Sequence, residues 1–334
     1  MRIWRNLFWE GNRDLYYFIN CLRALAAVLI TNSHYTNVYP ISIIANGGLL
    51  GDILFFAVSG YCLYNIRLSL WKWYKKRISR IYPSVIIVTV VYILGKFYYC
   101  NGKKTLFYLL IYPTKYHFVA SIMILYIIYY FAIILSKKYS NIASHITIDS
   151  IFLLTLIIQF IVYVFVYDKS YYHIDSVYEP MVRFLFFEAM LIGAKFNESK
   201  YLYLNKKEDK GLLKIIVPFI IYFASKLVFS KYQNISMYQI LNQYIILILM
   251  FYIFRYFISL EDKIKQLPKY IYKFIKLLSD ITLEIYLVQS VIIAQFENYA
   301  FPINFIVITS IILGSAYLVY LIKNKFFDII DHLH

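Results

Sequence analysis

Charge is scarce in this chain. Only 16% of its 334 residues are Asp, Glu, Lys or Arg, where a soluble domain carries about 25%. That shortage excludes a water-facing polar shell, and a composition 61% hydrophobic and 20% aromatic points to a protein whose solvent is the bilayer. Glycine is limited to ten residues and proline to seven, which leaves few of the broken half-helices that many transporters use as binding sites. The three cysteines, Cys21, Cys62 and Cys100, are odd in number and two fall in apolar runs, so no disulfide framework is implied. There is no GxxxxGK[ST], HExxH, CxxC or GxGxxG, so neither nucleotide hydrolysis nor a metal site has a motif to rest on. No internal repeat or low-complexity linker divides the chain.

What is present is a series of apolar runs of spanning length. Ten lie at about 15–33, 47–66, 80–99, 117–136, 148–167, 179–196, 212–230, 237–258, 277–296 and 303–322. The stretch TLFYLLIY before the fourth reads as an interfacial or re-entrant piece. With both termini placed in the cytoplasm, most of the 34 lysines and arginines fall on the inside segments, as the positive-inside rule requires. The expectation is an all-α, polytopic membrane protein of about ten transmembrane helices, forming a single integral-membrane domain over residues 1–334 with no appended soluble domain. The first thirteen residues are basic but lead into no short apolar core with a cleavage site, so the first run is expected to stay in the protein as a span. The net charge of +16 then reports topology and affinity for anionic lipid headgroups. The basic clusters lie between spans, so no nucleic-acid partner is expected.

Some polar residues sit where they cost free energy. Arg23 lies inside the first run and His34 closes it. A mid-bilayer charge costs roughly 2.5–3.5 kcal/mol, so such a residue has a partner or a task. Eleven positions make three helical turns, which puts both side chains on nearly one face about 16 Å apart. Asp52, in GLLGDILFFAVSGYCLY (48–64), is an intramembrane acid whose natural partners are Arg23 or His34. Ser59 and Gly60 follow in the same run, where a small pair admits close packing and a hydroxyl offers a donor. In WKWYKKRISRIYP (71–83), read as the cytoplasmic turn before the third span, Arg77 and Arg80 are three apart and share a helical face. Two guanidinium forks so held grip phosphate bidentately, which lysine does not. Weaker marks are an Arg183–Glu188 ion pair within the sixth run and the intramembrane carboxylate of Glu284. His145 and Asp149 spell a His-x-x-x-Asp pattern that is too short to weigh.

Taken together, these residues resemble the transmembrane acyltransferase family of type three, bacterial enzymes that mostly O-acetylate surface sugars. The resemblance rests on Arg23-x10-His34, then GDILFFAVSGY (51–61), then KKRISRIYP (75–83) with the family's Arg-x-x-Arg. Weaker echoes follow in HFVASIMILY, FFEAMLIGA and DITLEIYLVQ. His117 stands where the family usually has tryptophan, and Gln289 where it often has histidine. The resemblance implies acetyl-coenzyme A as donor, a surface polysaccharide or lipid-linked glycan as acceptor, and a place in the bacterial plasma membrane. It also implies that Arg77, Arg80 and Arg23 serve the donor. An imidazole with a pKa near about 6.5 suits the general base for a sugar hydroxyl, so His34 is the expected base. Asp52 is expected to orient the ring or stabilise its charged form, and Ser59 or Tyr61 to donate to the thioester oxygen. An acetyl-His34 intermediate stays open beside direct transfer. The alternative is a transporter or flippase for a glycan or small anion, with the same charges lining its pathway.

Overall fold

The computed structural model describes residues 16–113, 115–139, 146–167, 179–206 and 208–333. No strand occurs among them. The longer helices are α1 (Tyr17–Ser33), α2 (Gly48–Leu63), α3 (Leu70–Leu94), α4 (His117–Tyr139), α5 (Ile148–Val166), α6 (Glu179–Glu198), α7 (Gly211–Lys231), α8 (Ile240–Ser259), α9 (Lys269–Asp280), α10 (Thr282–Phe296) and α11 (Ile303–Leu333).

All ten apolar runs are helical, with two departures from the expected boundaries. The segment read as a cytoplasmic turn is already helix, so α3 begins at Leu70 and carries Arg77 and Arg80 on its opening turns. The ninth run is broken: α9 and α10 meet at 69°. The Thr282 hydroxyl donates to the carbonyls of Leu278 (2.9 Å) and Ser279 (3.0 Å) at the joint, and a hydroxyl inserted among main-chain acceptors bends a helix. The stretch TLFYLLIY forms a short helix over Lys103–Leu106 and a wider helical turn over Phe107–Ile111.

Among the described residues seven helices can cross a membrane by length and composition, namely α2, α3, α4, α5, α7, α8 and α11, and the bent α9–α10 pair passes as an eighth. The expected ten includes α1 and α6. The first has 17 residues, about 25 Å of helix, and the second carries Arg183, Glu188 and Lys195. Both are packed on α2 in the middle of the bundle, so their polar groups meet protein before lipid.

Close approach among these three helices is written in glycine. A methyl group on Gly51 would lie 2.8 Å from the Ala26 carbonyl oxygen and 2.7 Å from the Ile30 side chain. On the other face of α2, one on Gly60 would overlap the Met190 carbonyl, and one on Gly193 of α6 the Ala57 carbonyl. The start of α1 is tied down from far along the chain. The buried Glu261 carboxylate accepts the N–H groups of Tyr17 (3.0 Å) and Phe18 (2.8 Å), satisfying two orphan donors at the positive end of the helix. Below it, Asn20 bonds Tyr272 (2.7 Å) and accepts from Ser279 (3.0 Å), fastening α9 to α1.

Candidate active site

Helix α1 ends at His34 and carries Arg23 three turns below it, about 16 Å away, and a different environment surrounds each. At the His34 end a cavity of about 710 Å³ opens, walled by His34, Asp52, Lys115, His117, Lys226 and Tyr286 among others. His34 is the C-cap of α1. Its Nδ1 lies 2.7 Å from the main-chain oxygen of Ile30, one turn back. A carbonyl only accepts, so Nδ1 carries the proton and Nε2 keeps its lone pair. Gln289 Nε2 stands 3.5 Å from the same nitrogen, and its amide is set by Thr31 Oγ1 donating to Gln289 Oε1 (2.9 Å).

Asp52 shares this cavity but makes no hydrogen bond to the imidazole among the described residues, and its Oδ1 has no hydrogen-bond partner. The ring is therefore oriented by the main chain of α1, where the sequence pointed to a carboxylate. Nor does Asp52 pair with Arg23. The glycine contacts set α2 antiparallel on α1, with Gly48 against Ser33 and Gly51 against Ile30, which leaves Arg23 nearly two turns away.

At the other end three guanidinium groups gather. Arg23, Arg77 and Arg80 are all electrostatic neighbours of Cys62, and Arg80 lies in the fields of Arg77 and Arg23. Arg77 stands 5.5 Å over the ring of Trp73, which is itself buried against Tyr126 (5.7 Å) and Tyr130 (5.5 Å). Tyr126 faces both α3 arginines and reaches Ser59. No salt bridge to Arg23 or Arg77 occurs among the described residues. Like charges crowd together only where something else supplies the counter-charge. Ser59 thus belongs with the arginines. Tyr61 turns the other way, edge-on to Phe18 at 5.5 Å and near Phe254 at 5.7 Å. Neither lines the His34 cavity.

Between the two ends stands a layer of rings. Helices α2, α4 and α6 all run from the cavity toward the arginine end. On α2, Asp52 at the cavity is followed by Phe55 and Phe56 and then by Ser59; on α4, His117 is followed by Phe118 and then by Tyr126. Phe118 sits 4.8 Å from both Phe55 and Phe56, Phe56 stacks on Phe186 of α6 at 4.2 Å, and Phe118 meets Tyr286 of α10 at 5.3 Å.

The remaining marked residues fall outside both clusters. Arg183 and Glu188 do not pair. Five residues on a helix turn through about 500°, which places them on well-separated faces. Arg183 instead donates to the Tyr112 hydroxyl (2.8 Å), and Glu188 is fully buried with neither oxygen hydrogen-bonded. Glu284 is structural: it accepts from Ser84 Oγ (2.7 Å) and pairs with Lys323 of α11. Asp149 bonds Lys195 at 2.6 Å, while His145 lies outside the described residues. Sequence reasoning missed Lys115 and Lys226 on the cavity wall and the Ile30 carbonyl behind His34. A lysine inside the apolar seventh run was a signal for the second; nothing in sequence marks a main-chain acceptor. Among the described residues no cluster of three His, Cys, Asp or Glu side chains forms a metal site.

Residues 16–323 match the family model described as an acyltransferase domain. No curated protein and no solved structure matches the chain. A match over nearly all of the helical bundle, together with its long apolar helices, gives the conclusion that this chain belongs to the acyltransferase family of type three and is a multi-pass membrane protein.

Proposed function

We propose that this protein is a membrane O-acetyltransferase of the bacterial plasma membrane. It takes the acetyl group of cytosolic acetyl-coenzyme A and transfers it to a hydroxyl of a surface polysaccharide or lipid-linked glycan. The observation that carries this reading is the separation of Arg23, Arg77 and Arg80 at one end of the bundle from the His34 cavity at the other. The lysine and arginine bias supports an arginine end that faces inside, with both chain ends. There a donor made in the cytosol presents several phosphate charges, which guanidinium forks hold well.

At the far end His34 Nε2 has the free lone pair that a base requires. As the sugar oxygen attacks the thioester carbonyl, Nε2 takes the hydroxyl proton. The C–S bond then breaks, and the departing thiolate receives a proton, so that ester and free coenzyme A result. Asp52, on the same wall, stabilises the imidazolium formed on the way. Ser59 and Tyr61 lie too far down α2 to serve an oxyanion beside His34, and Ser59 fits the donor's passage among the arginines.

The deciding experiment follows label from acetyl-coenzyme A into purified surface polysaccharide. His34→Ala is expected to lower transfer by about 10²–10⁴-fold at normal protein level, the usual worth of a general base. Undiminished transfer would remove His34 from the chemistry. Arg77→Ala and Arg80→Ala are expected to raise the apparent donor KM and leave the acceptor KM unchanged. The opposite split would overturn the phosphate role.

A further inference from the structure

Acyl transfer at His34 leaves one role unfilled. When the sugar oxygen adds to the thioester, the carbonyl oxygen takes up negative charge and needs a hydrogen-bond donor beside it. Ser59 and Tyr61 stand too low on α2, so that donor has to come from the wall of the His34 cavity. Among the described residues four hydroxyls line it, those of Ser33, Thr36, Tyr222 and Tyr286. Ser33 donates to the Ile30 carbonyl (2.7 Å) and Thr36 to the Ser33 carbonyl (3.5 Å). Tyr222 is sealed, at 1% exposure.

Tyr286 differs from these three. Its Oη accepts the main-chain N–H of Phe118 at 3.1 Å, one of the orphan donors in the first turn of α4. No acceptor takes the phenol's own proton among the described residues. Asp52 is an electrostatic neighbour of Tyr286 but receives no hydrogen bond from it. An accepted N–H fixes the oxygen and makes the remaining O–H a stronger donor. The ring meets Phe118 at 5.3 Å, so the hydroxyl stands where the aromatic layer gives way to the cavity. Gln289 shares this face of α10 three residues on, and its Nε2 lies 3.5 Å from His34 Nδ1. Tyr286 is thus about 4.5 Å along the helix axis from the residue beside the imidazole, on the arginine side.

Resting on the acyl-transfer reading above, we propose that Tyr286 is a further catalytic residue, the oxyanion donor of the transfer. The sugar oxygen bonds to the thioester carbon as His34 Nε2 takes its proton and the carbonyl electron pair moves onto oxygen. Tyr286 keeps its own proton and shares it as a hydrogen bond. The pair then returns to the carbonyl, the C–S bond breaks and the thiolate leaves. Such a bond is strongest while the charge lasts, which lowers the barrier without tightening the ground state.

The test compares two coenzyme A analogues on the full-length protein in nanodiscs. One is a dethia trifluoromethyl ketone, whose hydrate is tetrahedral where the thioester carbonyl reacts. The other, S-ethyl coenzyme A, has no carbonyl oxygen. Wild type is expected to bind the ketone about 100-fold tighter than the thioether. Tyr286→Phe should lose most of that ratio and hold the thioether within about twofold. In label transfer from acetyl-coenzyme A, the same variant is expected to lower kcat by about 10²–10³-fold with the donor KM unchanged. Tyr286→3-fluorotyrosine keeps the acceptor for Phe118 and sharpens the donor, so the ketone-to-thioether ratio should rise. A wild type that binds both analogues equally would overturn the assignment. So would a ratio untouched by either substitution, or equal losses for both analogues, which would reduce Tyr286 to packing. Binding of neither analogue to wild type would instead strike the acyl-transfer reading, and this proposal with it.

Discussion

Holding His34 through its Nδ1–H on the Ile30 carbonyl makes the ring's tautomer a property of helix α1 and not of a neighbouring side chain. In the proposed mechanism Asp52 then serves the imidazolium without a hydrogen bond to the ring. Asp52→Asn is expected to keep the ring in place and lower transfer by about tenfold, the effect of roughly 1.4 kcal/mol, against the far larger loss for His34→Ala. Melting temperature should hold or rise, since Oδ1 gives up no hydrogen bond. A loss as deep as that of His34→Ala would put Asp52 in the proton transfer itself. At this scale the sequence was informative about costly residues: Arg23, His34, Asp52, Arg77 and Arg80 stand out because a charge or imidazole in an apolar run needs a reason. What it could not reveal is which of them meet. The sequence offers Asp52 either Arg23 or His34 as a partner, and only the antiparallel seating of α2 on α1 separates it from the first. The Arg183–Glu188 pair failed on helical periodicity, which was readable in advance.

Helix α2 is the element on which the rest is seated, because it offers small residues on two faces, Gly48 and Gly51 to α1 and Gly60 to α6. At the α2–α6 crossing the obstructing atoms are main-chain carbonyls, which do not turn aside as side chains do. Gly60→Ala and Gly193→Ala are each expected to cost about 1–3 kcal/mol through overpacking, read as a lower melting temperature in detergent. Gly314 provides the contrast: nothing lies within 4 Å of a methyl group added there. Gly314→Ala is expected to be neutral or to stabilise by up to about 1 kcal/mol through helix propensity. Element positions were nearly all legible, since a run of about twenty apolar residues has few other fates. The two departures have local causes that hydropathy does not weigh. Basic and aromatic residues extend α3 backwards over 70–79, and the Thr282 hydroxyl splits the ninth run. The Glu261 cap on α1 lies far outside any sequence window, because it joins residues more than 240 positions apart.

For the whole molecule, the sidedness that charge bias assigns is open to a direct check with native thiols. Cys62 and Cys100 are both exposed, the first among the arginines and the second beyond α3, toward the cavity end. A membrane-impermeant maleimide on intact cells is expected to label Cys100 and spare Cys62. Inverted vesicles should show the reverse, and donor should slow the labelling of Cys62. Labelling of both from one side would refute the two-ended arrangement on which the proposed route depends.

The rings of Phe55, Phe56, Phe118, Phe186 and Tyr286 lie where that route would have to pass. None bears a charge, and any ion forced through them would leave its water behind. On the proposed route they would serve as an electrical insulator, since a membrane voltage of about 100 mV is worth roughly 2.3 kcal/mol per charge carried across. An uncharged arm can part such rings and let them close behind it, while phosphates and protons stay on their own sides. On that view each turnover is a brief breach of the cell's energy store, and the aromatic plug keeps the breach brief.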